Sequence, residues 1–259
     1  MQRINNPLTL VLLIALVIGL GVVSNLLQGP AGEVEKPEIT TEIAPYVVFT
    51  VGPLEVTSTV IHTWAMMFLL GMGAFLIGRN LKLRPGLVQN MLEWIVESIE
   101  RLIREMVGVE DTAIFLPIVG TLAFFIGTAN LIGLLPGLKS PTPDINTPLA
   151  MALVVLFSVP YFGIRTRGVW GYLKHYVEPI FLMLPIEIAS EMARTFSLTF
   201  RLFGNILGEE IIISILFIVM PLFVPVPMML FSIFTGLLQA YIFTLLTCVY
   251  IGGAVKAHE

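Results

Sequence analysis

The chain has 259 residues, of which 56% are hydrophobic and only 12% charged, with a mean hydropathy of +0.92 and a net charge of −4. Soluble domains carry about a quarter of their residues as charged side chains, so this composition excludes an ordinary soluble enzyme or nucleic-acid-binding module and points to a multi-pass membrane protein. Cys248 is the single cysteine, and His62, His175 and His258 are scattered without ligand spacing, so a disulfide framework and a zinc site are excluded and no cofactor is expected.

Leu8 to Gln28 is uncharged and long enough to cross about 30 Å of hydrocarbon as a helix. Arg3 precedes it as in a secretion signal, but no small-residue cleavage pattern stands before Gln28-Gly29-Pro30, so residues 1–28 read as a retained membrane helix. Residues 29–57 form the sizeable polar segment on the outer side, in which Tyr46 to Val56 reads as two short strands around Gly52-Pro53. Residues 58–259 complete a single membrane domain, with uncharged spans at Ser58–Gly78, Ala113–Leu138 and Ile145–Ile164. Between the first two of these, Pro85–Val107 places Val88, Met91, Leu92, Ile95, Ile99, Leu102, Ile103 and Met106 at helical spacing opposite Glu93, Glu97, Glu100, Arg101, Arg104 and Glu105. This is an amphipathic helix that either lies on the membrane surface or docks another subunit.

Loop charges set the orientation, because cytoplasmic loops carry the excess of Lys and Arg. Arg3, Arg79, Lys82, Arg84, Arg101, Arg104, Arg165, Arg167, Lys174 and Lys256 fall on one side of an alternating topology, and only Lys36 and Lys139 on the other. Both termini are then cytoplasmic.

From Ile186 to Met220 there is no proline and there are only two glycines, which allows one helix of some 35 residues, about 52 Å long. Pro221, Pro225 and Pro227 end it, and Met228–Gly252 returns as a second long helix. A hairpin of two such helices must tilt strongly in the bilayer, as helices wrapping a curved partner would. The predicted fold is therefore an all-α polytopic membrane protein with about six membrane helices, including this hairpin, and one amphipathic cytoplasmic helix.

The first helix of the hairpin carries a polar stripe. At 100° per residue, Glu187, Glu191, Arg194, Arg201, Asn205 and Glu209 fall within about 80° of one another, and Glu210 points away. Glu187 and Glu191 are both within reach of Arg194, whereas Arg201 has no acidic residue three or four positions away. A permanently charged guanidinium at bilayer depth costs roughly 3 kcal/mol on insertion scales, so Arg201 is expected to face a polar cavity or an anionic partner. On the second helix Gln239 is the polar residue most easily turned toward the stripe, followed by Ser232 and Thr235, the hydroxyls also serving as ordinary helix-packing groups.

These residues carry a resemblance. Arg201-Leu202-Phe203-Gly204-Asn205, then Glu210, and later Leu238-Gln239-Ala240-Tyr241-Ile242-Phe243, are similar to the signature of subunit a of F-type ATP synthases. Asn130-Leu131-Ile132-Gly133-Leu134-Leu135-Pro136-Gly137 and Pro143-Asp144-Ile145-Asn146-Thr147-Pro148-Leu149-Ala150 resemble two further blocks, in the family's order, and the last block, with Val224-Pro225-Val226-Pro227 before the final helix, is closest to the bacterial and chloroplast branches. The resemblance implies a non-catalytic, proton-translocating stator subunit in a bacterial inner membrane, working with the ring of c subunits, the peripheral stalk subunit b and the rest of the complex. The ion is the proton, or sodium where the ring carboxylate's surroundings select it. It implies that Arg201 attracts the ionised ring carboxylate and separates two half-channels. Glu187 would belong to the cytoplasmic one, and Asn205, Glu210 and Gln239, with Asp144 near the mouth, to the outer one; Glu191, Glu209 and Ser232 stand beside them. Several bacterial members carry a histidine seven residues before the glutamine, and this chain has Ser232 there, leaving water or Glu209 to take its part. The competing reading, a secondary transporter whose Arg201 binds an anionic substrate, predicts two symmetric halves with paired interrupted helices, a pattern that the sequence does not carry. A membrane-embedded enzyme lacks a catalytic constellation of serine, cysteine or histidine.

Overall fold

The computed structural model describes residues 47–51, 54–133, 140–141, 143–177, 183–219 and 225–256. The predicted first span Leu8–Gln28, the polar stretch that follows it up to Tyr46 and the break at Pro221 lie outside the described residues. Two short strands, β1 (Val47–Val51) and β2 (Leu54–Thr57), pair antiparallel with Val51 opposite Leu54. The chain passes from β2 directly into α1 (Ser58–Arg79), in which only Ser58 and Met66 are buried. Trp64, Met67, Phe68 and Phe75 are exposed, as on a helix whose surroundings are hydrocarbon.

The amphipathic segment is α2 (Leu87–Val107). It stops at Gly108, whose φ of 74° lets its N–H reach the Arg104 carbonyl at 3.0 Å, a closure that glycine adopts without steric cost. Its apolar face is divided: Ile99, Leu102, Ile103 and Val107 are buried, whereas Leu87, Val88, Met91 and Trp94 are exposed. The shorter apolar helix α3 (Leu116–Ile132) begins later than the predicted span because Phe115 and Leu116 first close a turn onto the Thr112 carbonyl and Pro117 sits in the first helical turn.

Helix α4 (Asn146–Val177) runs beyond the predicted end at Ile164. Its polar continuation stays helical to Arg167, and Gly168, at φ 75° and ψ 164°, then breaks the axis before a last helical piece. The break folds Tyr172 back onto Gly163, where an added Cβ would stand 2.5 Å from the ring. Helix α5 (Met183–Val219) has 37 residues and is about 55 Å long. Helix α6 (Pro225–Lys256) has 32, with Pro225 and Pro227 in its first turn, where the missing N–H is not needed. Among the described residues α1, α4 and α6 are both long and apolar enough to cross a membrane; α5 is long enough but carries six charges.

One core joins these helices: Ile103 and Val107 from α2, Val119 and Ile126 from α3, Phe162 from α4, Leu198 and Leu202 from α5, and Phe243 and Ile251 from α6. The buried half of α2 lies against the end of α6, and Gly252 permits this, since a Cβ there would stand 2.6 Å from the Met106 carbonyl oxygen. Arg167 braces the same end by donating to the Val255 carbonyl from Nε at 3.1 Å and Nη2 at 2.8 Å, a cation on the negative end of a helix dipole. Gly252→Val should therefore destabilise the folded protein by about 1–3 kcal/mol through overpacking, measured as a lowered thermal midpoint of the detergent-solubilised protein. Gly253→Ala, where an added Cβ meets nothing within 4 Å, should leave that midpoint unchanged.

Candidate functional site

Helices α5 and α6 run antiparallel in one register, shown by three contacts. The Arg194 guanidinium lies over the Tyr250 ring at 5.4 Å, Asn205 Nδ2 donates to Gln239 Oε1 at 3.0 Å, and the Thr235 hydroxyl donates to Glu209 Oε1. Eleven residues from Arg194 to Asn205 are matched by eleven from Tyr250 back to Gln239, and four from Asn205 to Glu209 by four from Gln239 to Thr235. The predicted stripe is thus a real seam, and one register serves its whole length.

Arg194 is satisfied within the chain. Its Nη2 stands 3.8 Å from Glu187 Oε1, two turns away, and the Tyr250 ring covers the other side of the guanidinium. Glu191 lies beside it in a cleft between α4, α5 and α6, lined also by Val155, Val159 and Leu198. With Glu187 and Arg194 partly exposed, the pair is screened and contributes little to stability.

Arg201 is different. Among the described residues no carboxylate pairs with it, and its polar contact is the Ser197 hydroxyl, at 3.5 Å from Nη2. Buried Leu198, Leu202 and Ile206 mark the core side of α5, while exposed Ser197 and Gly204 and half-buried Gly208 form a row of small residues beside Arg201. A Cβ added at Gly204 or Gly208 meets nothing within 4 Å, so backbone is open to the surroundings there. The guanidinium thus stands at the outward edge of the seam, where another helix can approach closely.

Further along, Asn205 holds buried Gln239, whose Nε2 has no hydrogen-bond partner among the described residues. Ser232 is buried with its hydroxyl likewise unpaired among the described residues. Helical periodicity turns Glu210 away from the seam that Glu209 faces. Asp144 is not drawn into this group: its Oδ1 accepts from the Asn146 backbone N–H at 3.1 Å and from Asn146 Nδ2 at 2.9 Å, organising the start of α4. Asn130, the first residue of the Asn130–Gly137 motif, is a further polar residue of this region: it is buried, donates to the Gly236 carbonyl at 3.0 Å and keeps Oδ1 unpaired among the described residues. Its position inside an apolar span was the signal. Tyr250, an aromatic in an apolar helix, gave none.

The family model described as ATP synthase A chain matches residues 59–252. The chain belongs to that family. It is 47% identical over 207 residues to ATP synthase subunit a 2 of a Bradyrhizobium species, covering 80% of this chain and 92% of that protein. It is 40% identical over 218 residues to ATP synthase subunit a of Moorella thermoacetica, covering 84% and 100%, and 44% identical over 211 residues to ATP synthase subunit a 2 of Pelobacter propionicus, covering 82% and 92%. The matched region of the ATP synthase A chain family takes in every candidate site residue, from Asp144 to Gln239.

The Asn205–Gln239 contact has a measurable consequence. Asn205→Leu leaves the buried Gln239 amide without its partner and should cost about 1–3 kcal/mol. Adding Gln239→Leu should recover part of that loss, because two facing apolar side chains leave no amide stranded; thermal midpoints of the two variants check the order.

Proposed function

We propose that this chain is the proton-translocating stator subunit of an F-type ATP synthase, set in a bacterial inner membrane against a rotating ring of carboxylate-bearing c subunits. The observation that carries the reading is Arg201, a permanent cation at mid-length of α5, unpaired by any carboxylate among the described residues and flanked by the open row Ser197, Gly204 and Gly208. A charge left this way in hydrocarbon is stable only where water or an anion from another chain reaches it. A ring carboxylate arriving there is held ionised by the guanidinium and releases its proton. The same fixed charge repels a hydrated proton and keeps two half-channels apart.

The polar seam supplies those half-channels. On the cytoplasmic side Glu187 and Glu191 stand around Arg194; on the outer side Asn205, Gln239, Glu209 and Ser232 lead away from Arg201, with Glu210 beside the seam rather than on it and Asp144 assigned to the mouth. This chain performs no nucleotide chemistry, which belongs to other subunits, and the peripheral stalk subunit b keeps it from turning with the ring. The exposed apolar surfaces of α1 and α2 meet lipid. The residues gathered at the Lys256 end of α6, including Arg104 and Arg167, belong to the basic, cytoplasmic side, which supports a cytoplasmic C-terminus; the sequence count of basic residues, Arg3 among them, assigns the N-terminus to the same side.

Arg201→Ala should abolish ATP-driven proton pumping and ATP synthesis in vesicles while the complex still assembles, because the side chain stands at the edge of the packed core. Arg201→Lys should fail as well, since a compact ammonium releases its proton on desolvation. An assembled Arg201→Ala complex that makes ATP at the normal rate eliminates the mechanism. For orientation, a cysteine at exposed Val48 should react with an impermeant thiol reagent in intact cells and one at exposed Arg84 should not; reversed labelling overturns the assignment.

A further inference from the structure

Glu209 and Glu210 are adjacent carboxylates with different surroundings. Helical geometry separates them by about 100°, and only Glu209 lies on the stripe that faces α6. There its Oε1 meets the Thr235 hydroxyl. That hydroxyl has one proton and three acceptors within reach: the Phe231 carbonyl at 3.1 Å, the Ser232 carbonyl at 3.2 Å and the Glu209 carboxylate. The carboxylate is the only charged acceptor of the three, and charge-assisted hydrogen bonds are roughly twice as strong as neutral ones. The Thr235 proton therefore goes to Glu209, across the helix interface, rather than back into its own helix.

We propose that Thr235 is a positioning residue, whose hydroxyl holds the Glu209 carboxylate in the proton path of the outer half-channel, an inference that rests on the half-channel reading above. Glu209 is half-buried and sits one turn from the Asn205–Gln239 pair, while the buried Ser232 hydroxyl lies one turn farther out along α6. A turn is about 5.4 Å, a gap that one water spans. The carboxylate takes a proton from water on its outer side and gives one to water on its inner side, so the carboxylate is restored and the threonine keeps its own hydrogen. Without the hydroxyl, a side chain with three rotatable bonds is free to swing out of line toward the exposed edge of α5, and the transfer distance is lost.

The test uses the whole complex in vesicles, with ATP-driven proton uptake as the readout and co-purification of the ring as the check on assembly. Thr235→Val keeps the shape and loses the donor; Thr235→Ser keeps the donor and loses the methyl group. Thr235→Val should slow uptake about tenfold, the kinetic equivalent of one hydrogen bond to a charged group. Thr235→Ser should restore most of the rate, and adding Thr235→Val to Glu209→Gln should slow Glu209→Gln no further. Equal losses in Thr235→Val and Thr235→Ser would show a packing role and overturn the inference. So would losses for Thr235→Val and Glu209→Gln that multiply in the double variant, or wild-type uptake in both single variants. In each of those cases abolished uptake in Arg201→Ala leaves the half-channel reading standing, whereas normal uptake in an assembled Arg201→Ala complex removes that reading itself.

Discussion

An arginine held at bilayer depth without an internal counter-charge constrains everything around it. A guanidinium in hydrocarbon is tolerated only where water or an anion reaches it, so Arg201 must stand at an edge that is open and yet rigid. Helix α5 meets both demands by sorting its residues around the axis: Leu198, Leu202 and Ile206 face the core, the polar seam lies beside them, and Ser197, Gly204 and Gly208 leave the far side bare. Small residues there serve close approach rather than flexibility, because the helix runs unbroken from Met183 to Val219.

Rigidity comes from the neighbours. The buried face of α5 shares its core with α4, and α6 follows it in a single register. The far end of α6 is fixed twice, by the close fit of Gly252 to α2 and by the Arg167 fork on the Val255 carbonyl. A displacement of α6 along its axis by one residue would turn its side chains by about 100° and break the Tyr250, Gln239 and Thr235 contacts together. The half-buried amphipathic helix α2 is thus a brace for the seam and has a second, exposed apolar stretch for the surroundings.

Much of this was legible in the sequence, for physical reasons that differ by element. The long hairpin followed from an absence of proline between Ile186 and Met220, and the stripe on α5 from helical periodicity alone. The small strand pair followed from the Gly-Pro turn between alternating residues. The reversal at Gly168 was not legible, because Arg165-Thr166-Arg167-Gly168 reads as the end of a span, and only the φ of 75° shows that the chain folds back onto Gly163. Contacts between helices depend on a register that no local pattern carries. For that reason the sequence left Arg194 open to either glutamate and left Thr235 as one of several packing hydroxyls, and it did not foresee Tyr250 over Arg194 or Asn130 on the Gly236 carbonyl.

Arg194 and Arg201 are the informative pair. They share a helix, a stripe and a side chain, and are two turns apart, so propensity and depth alone do not distinguish their roles. Their partners do. Arg194 has Glu187 and the Tyr250 ring, and its charge is spent on organising its own end of the seam. By the same register Arg201 stands level with Phe243, a buried apolar ring that offers it no hydrogen-bond acceptor, so its electrostatic free energy remains to be satisfied from outside the chain. A fixed charge that a passing carboxylate can satisfy, and then lose, is what a stator needs, because a partner bound permanently at Arg201 would stop the ring as surely as removing the arginine would uncouple it.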